Sequence, residues 1–151
     1  MKDFVKEEIQ MKVKSTGELL EILKHKKTIH EFLSGETNSI PSVSFTEYLN
    51  ILLGKTKLKK SDIVKNSDLE KTYVYQLFRG ARSNPSRNVV LRLAFGMKLD
   101  LDETRRLLKI ASCGDLYPKN ARDCVIIHSI INGKSVIDTN IALDENGFES
   151  I

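Results

Sequence analysis

The sequence predicts an all-α fold: a domain of five short helices, with further helices before and after it. Two observations predict it. Apolar residues recur at helical rather than alternating spacing along most of the chain. Residues that open helices, such as Ser44 with Glu47 three positions on, alternate with residues that close them, such as Gly35, Gly80, Gly96 and the Asn-Gly pairs at 132–133 and 146–147. One stretch resists this pattern: the β-branched run from Val125 to Ile131 also reads as a strand. Helix is preferred there, because Pro118 and Asn132-Gly133 bracket about the right length.

Residues 1–14 are highly charged and lack a clear face, so they read as a loosely docked end. Ser15-Thr16 precede an amphipathic segment carrying Leu19, Leu20, Ile22, Leu23, Ile29, Phe32 and Leu33. Gly35 closes it, and a linker ends near Pro41. Residues 1–40 are thus an amphipathic helical extension with its linker. The central domain spans 44–112. Its first helix carries Phe45, Tyr48, Leu49, Leu52 and Leu53, behind a capping box of Ser44 and Glu47. A Lys-rich connection, 55–59, leads to a second helix with Ile63 and Val64. Ser67-Asp68 make a tight turn, where Asp tolerates a left-handed backbone. The third helix faces Leu69, Val74, Leu77 and Phe78 inward and stops at Gly80. After the loop Ser83-Asn84-Pro85-Ser86, the fourth holds Val89, Val90, Leu93, Ala94 and Phe95, with Gly96 at its end and Leu99 packing behind. Asp100 or Asp102 caps the fifth, which carries Thr104, Leu107, Leu108 and Ala111. Residues 115–151 read as a helical extension packed on the domain. One of its helices carries Cys124, Val125, Ile126, Ile127, Ile130 and Ile131. The other opens at Ser135 and carries Val136, Ile137, Ile141, Ala142 and Leu143.

Composition bounds the function. The 151 residues are 40% hydrophobic and 29% charged, an ordinary folded composition. Trp is absent and aromatic residues are 7%, so Leu, Ile and Val must build the core. No apolar run approaches the ~18 residues of a membrane span, and the first eight residues hold no signal-peptide stretch. A cytoplasmic protein without membrane contact is expected. Cys113 and Cys124 lack metal-site spacing, and His25, His30 and His128 are scattered, so no metal or other cofactor is expected. Gly54-Lys55-Thr56 lacks the upstream glycine and preceding strand of a phosphate loop. No Ser/His/Asp or Cys/His arrangement has supporting context, and no enzymatic activity is expected.

The net charge of +4 is unevenly placed. Residues 55–109 hold 14 Lys and Arg against 6 Asp and Glu, while the remainder holds 10 against 14. A basic middle suits a phosphate-binding surface, though a solvated Lys-rich face gives the same count. Within it, two short helices, a brief turn and a helix ending in Arg79-Gly80 have the form of a helix-turn-helix. The second helix of such a pair must stand proud so that its polar face enters a major groove. Ile63, Val64, Leu69, Val74 and Leu77 supply the packing behind it.

The stretch Ile63-Val-Lys-Asn-Ser-Asp-Leu-Glu-Lys-Thr-Tyr-Val-Tyr-Gln-Leu-Phe-Arg-Gly resembles the phage-repressor and Cro-type (XRE) helix-turn-helix. The continuation through Ala81–Ser86, Val90–Ala94 and Leu99–Glu103 is also similar, so the resemblance covers about 65 residues. It implies a Cro/phage-repressor-like five-helix domain that acts as a sequence-specific regulator on double-stranded DNA, as a homodimer on half-sites about one helical turn apart. It places Glu70, Lys71, Thr72, Tyr73 and Gln76 at base edges. Lys71 can donate to guanine, Gln76 can pair with adenine, and Thr72 can touch a thymine methyl or a phosphate. Tyr73 and Tyr75 are ambiguous between contact and packing. Arg79, Arg82, Arg87 and Lys60 are the expected phosphate contacts, which position without reading sequence.

Four residues depart from the family pattern. Val64 stands for a small residue where the two helices cross, Asp68 for the turn glycine, Glu70 for a Ser-like cap and Phe78 for a Glu. Glu70 bears on function, since a carboxylate near phosphates opposes binding unless it accepts from cytosine. With the tyrosines it keeps open an alternative: a protein-interaction adaptor, or the antitoxin or regulatory partner of an enzyme such as a kinase. A protein partner can also engage the N- or C-terminal helices.

Overall fold

The apolar residues spaced three and four apart become the inner faces of short helices. The computed structural model describes residues 16–25, 29–30 and 43–151. Every regular element among the described residues is an α-helix: α1 Thr16–His25, α2 Phe45–Lys55, α3 Lys60–Ser67, α4 Lys71–Arg79, α5 Arg87–Gly96, α6 Leu101–Ile110, α7 Ala121–Ile131 and α8 Val136–Glu145. The protein is all-α, and the β-branched run 125–131 is helical. No helix among the described residues is long and apolar enough to cross a membrane.

The chain divides into two compact units, 1–43 and 44–151. In the first, α1 leaves Leu20 and Leu23 exposed, and Lys24 pairs with Glu21 at 3.2 Å. Residues 29 and 30 are helical as well. The charged stretch 1–14, Phe32, Leu33, the Gly35 stop, the linker to Pro41 and the side chain of Leu19 lie outside the described residues.

In the second unit, each helix opens on a side chain that its sequence supplies. Ser44 Oγ accepts from Glu47 N at 3.1 Å while Glu47 Oε2 accepts from Ser44 N at 3.1 Å, closing the box on α2. Ser86 caps α5, and Asp100, not Asp102, caps α6 in a second box with Glu103. Asn120 and Ser135 cap α7 and α8. Helix ends are equally local: Gly80, Gly133 and Gly147 take positive φ, but so do Asp68, Lys98 and Ser112.

These helices bury a single side-chain core. Leu49, Ile63, Leu77, Leu91, Leu93, Leu107, Leu108, Ile126 and Leu143 are essentially inaccessible. They come from α2 through α8, so the last two helices complete this core. The packing radiates from α5, which touches α3, α6 and α8, while α4 rests on α2 and α3. Asp123, buried on α7, accepts from Arg87 of α5 at 3.0 Å and from Tyr117 N at 2.9 Å. Ile151 is buried; its N–H donates to Asn140 Oδ1 at 2.9 Å, and its carbonyl accepts from Arg92 Nε and Nη2 at 2.9 and 2.7 Å.

Ser67 is the last residue of α3, fully buried, so the turn begins at Asp68. It is buried against Gly96. A Cβ built on Gly96 would lie 2.8 Å from Ser67 Cβ and 3.0 Å from Ile63 O. Gly96 therefore serves close helix approach and not a left-handed stop. Gly96→Ala should destabilise the domain by about 1–3 kcal/mol through overpacking, checked by urea unfolding monitored at 222 nm. An unchanged midpoint would show that α3 and α5 separate without cost.

Candidate nucleic-acid interface

The helices α3 and α4 are joined by three residues, Asp68-Leu69-Glu70. Asp68 adopts φ 56°, ψ 33°, the left-handed conformation that a short carboxamide or carboxylate side chain tolerates. The Asp68 carbonyl accepts from Arg92 Nη1 at 3.1 Å, so α5 fixes the turn. Val74, Leu77 and Phe78 bury one face of α4. At its far end, Asn50 of α2 donates Nδ2 to Phe78 O at 2.8 Å, and Thr46 Oγ1 donates to Leu77 O at 3.5 Å. The Asn50 bond satisfies a carbonyl that the helix end leaves without a backbone partner, and the Thr46 bond adds to the one Leu77 O accepts from Gly80 N at 3.3 Å. Sequence reading missed Thr46, Asn50 and Arg92 as positioning residues. The trace it leaves is faint: Thr46 and Asn50 are uncharged polar residues four apart, and so on one face of α2.

The other face of α4 is open. Lys71, Thr72, Tyr75 and Arg79 are exposed, and Tyr73 and Gln76 are half-buried. Lys60 reaches across from α3, with Nζ 5.6 Å from the Tyr75 ring centroid and 5.5 Å from that of Phe78. Lys71 Nζ lies 5.8 Å from Tyr75. Arg82 folds back from beyond the helix: its Nε donates to Gln76 Oε1 at 3.0 Å, and its Cζ lies 5.6 Å from the Tyr73 centroid. Of the residues singled out in the sequence, Lys60, Lys71, Thr72, Tyr73, Gln76, Arg79 and Arg82 thus share α4 or its immediate surroundings.

Two expected contacts are placed differently. Glu70 is not aimed outward as a base reader; it is the N-cap of α4, its carboxylate accepting from Thr72 N at 3.1 Å and Tyr73 N at 3.3 Å. Its carboxyl is held below the usual range, chiefly by hydrogen bonds from the Thr72 side chain and backbone, with the Tyr73 N–H adding to them. The charge that opposed DNA in the sequence reading is set against the positive end of the helix dipole. Arg87, expected on phosphate, is turned inward. It donates Nε to Gly114 O at 2.8 Å and Nη2 to Asp115 O at 3.2 Å and to both Asp123 oxygens at 3.0 Å. Nη2 alone spans both oxygens of a carboxylate 8% exposed, which makes Arg87 a brace between α5 and α7.

No group of three or more His, Cys, Asp and Glu among the described residues is arranged to hold a metal ion. Cys113 and Cys124 are free, and burial pushes the Cys113 thiol up. Comparison with protein-family models, curated proteins and solved structures found no match for the chain.

Asn50→Ala should cost about 1 kcal/mol, the net worth of an intramolecular hydrogen bond, and speed amide exchange in the last turn of α4 more than elsewhere. Uniform exchange rates would place Asn50 outside the positioning of α4. Glu70 has a pH signature. Its folded pKa is lowered from 4.5, so its stabilisation is present in full above that value and lost as pH falls through the lowered one. Glu70→Gln should melt below the parent at neutral pH and converge with it in strong acid. A constant gap across the range would mean that the carboxylate charge does not hold the cap.

Proposed function

We propose that the chain is a sequence-specific regulator of transcription that binds double-stranded DNA in the manner of the phage-repressor and Cro-type family. In this reading α2–α6 form a Cro/phage-repressor-like five-helix domain, and α4 enters the major groove. The protein works in the cytoplasm without a cofactor. The observation that carries the proposal is the division of α4. One face is locked by Val74, Leu77 and Phe78, with Asn50 holding its C-terminal end and Arg92 the turn before it, while the opposite face is open and offers Lys71, Thr72 and Arg79. A groove reader needs that combination: a rigid mount and a free polar surface with positive charge around it. Lys60 extends the positive charge to one side, which suits a phosphate flanking a groove. The capping role of Glu70 supports the reading further, since it sets that carboxylate against the positive end of the helix dipole.

The second reading, a protein-interaction module or regulatory partner of an enzyme, is favoured by one observation. Ile131 and Ile137 are each 66% exposed and Ile141 51% exposed, on α7 and α8. Under the DNA reading those side chains serve a second copy of the chain, because a duplex presents two-fold-related half-sites.

Fluorescence anisotropy with a labelled random duplex tests the proposal. Binding is expected at low salt, falling steeply as salt rises, and Lys60→Ala, Lys71→Ala or Arg79→Ala should each flatten the logarithmic salt slope by about 1 wherever that cation meets a phosphate. No binding at low salt overturns the DNA reading and leaves the protein-interaction one. For the dimer, the double variant Ile137→Glu, Ile141→Glu should sediment as a monomer with parental helix content. A parent that is itself monomeric, free and on DNA, overturns that part.

A further inference from the structure

Arg82 stands three residues beyond the end of α4, where the sequence points it to phosphate. Its side chain does not stay there. Gly80, at φ 85°, reverses the backbone, and the N–H groups of Ala81 and Arg82 both donate to Gln76 O, at 3.0 and 3.3 Å. The backbone at Arg82 is thereby fixed against the last turn of the helix. From there the guanidinium returns along the open face of α4. Its Nε meets Gln76 Oε1 at 3.0 Å, and its Cζ lies over the ring of Tyr73 at 5.6 Å. Tyr73 and Gln76 are three apart and so share one helix face. The guanidinium is gripped at its inner edge and against an aromatic ring, while Arg82 remains exposed and, among the described residues, no hydrogen bond engages its Nη1 or Nη2.

That arrangement differs from what phosphate binding requires. A phosphate contact tolerates a mobile cation, whereas two parallel N–H donors held in a fixed plane match the O6 and N7 acceptors of guanine. The grip also changes Gln76. Pairing with adenine needs both the oxygen and the nitrogen of the amide aimed at the base, and the Arg82 bond occupies one lone pair of that oxygen and turns it toward the guanidinium. Gln76 is then a positioning residue for the arginine.

We propose that Arg82, held by Gln76 and Tyr73, reads a guanine through its Nη groups and is a specificity-determining residue of this chain. The inference rests on the DNA reading above and can fail without it.

The test selects bound fragments from a random duplex pool with the full chain, then replaces each guanine of the selected site by 7-deazaguanine, which lacks the N7 acceptor. One guanine per half-site should be sensitive, with affinity falling about tenfold, the effect of losing one good hydrogen bond to a charged donor. Arg82→Ala should be insensitive at that position, keep parental helix content, and lose more affinity for the selected site than for random duplex at low salt. Gln76→Ala and Tyr73→Leu should narrow the preference for guanine over adenine there. If Arg82→Ala instead weakens all sequences alike and flattens the salt slope, Arg82 is a phosphate contact and the inference is overturned. If no guanine responds to 7-deaza substitution, it is overturned too. Failure of the parent to bind any duplex overturns the DNA reading itself.

Discussion

Where α3 crosses α5, Ser67 and Gly96 approach so closely that a single added Cβ would sit 2.8 Å from its neighbour. This contact fixes the last residue of α3 and so fixes where the turn begins. From Ser67 the chain has only Asp68, Leu69 and Glu70 in which to reverse before α4 starts. Asp68 makes the reversal with a left-handed backbone, and Arg92, four residues before Gly96 on α5, holds the Asp68 carbonyl. The same helix that demands a small residue at the crossing thus supplies the side chain that secures the turn. An α5 displaced by a methyl group would disturb both at once, because interiors packed at crystal density transmit strain to their neighbours.

The second anchor of α4 comes from α2. Asn50 and Thr46 take the carbonyls of Phe78 and Leu77 at the C-terminal end, while Glu70 takes the amides at the N-terminal end. A nine-residue helix is too short to persist on its own propensity. Its persistence depends on the buried Val74, Leu77 and Phe78 together with these end bonds. Of the polar groups on its open face, Thr72 shares in the Glu70 cap, whereas Lys71 and Arg79 take no part in these end bonds.

Local features were legible in the sequence and long-range ones were not. The capping box at Ser44 and Glu47, the Gly80 stop and the inward faces of α2 and α4 all depend on residues within about one turn of each other, so spacing reveals them. The helical state of 125–131 was legible only through its brackets, since β-branched residues by themselves point to strand. Arg87 shows where such reading ends. A basic residue just past a basic helix reads as a phosphate contact until its partner Asp123, 36 positions away, is brought beside it. Glu70 fails for a subtler reason: the same residue at the same place either faces a ligand or turns back on its own helix, and sequence does not record the rotamer. Gly96 is legible as the end of α5, yet its role lies in Ser67, a neighbour that spacing cannot supply.

The return of Arg82 onto α4 follows the same logic at smaller scale. Its direction depends on the left-handed Gly80, which aims the chain back, and on Tyr73 and Gln76 lying one turn up the same face. Each piece is local, but the outcome exists only when all three are combined. An arginine so held has already given up much of the rotamer freedom that a long side chain loses on binding, a loss of order 1 kcal/mol for a mobile one. The same restraint penalises every partner whose acceptors do not match the fixed plane. Fixing a flexible cation therefore shifts it from general attraction toward discrimination, and the bonds that hold Arg82 lie within the protein before any partner arrives.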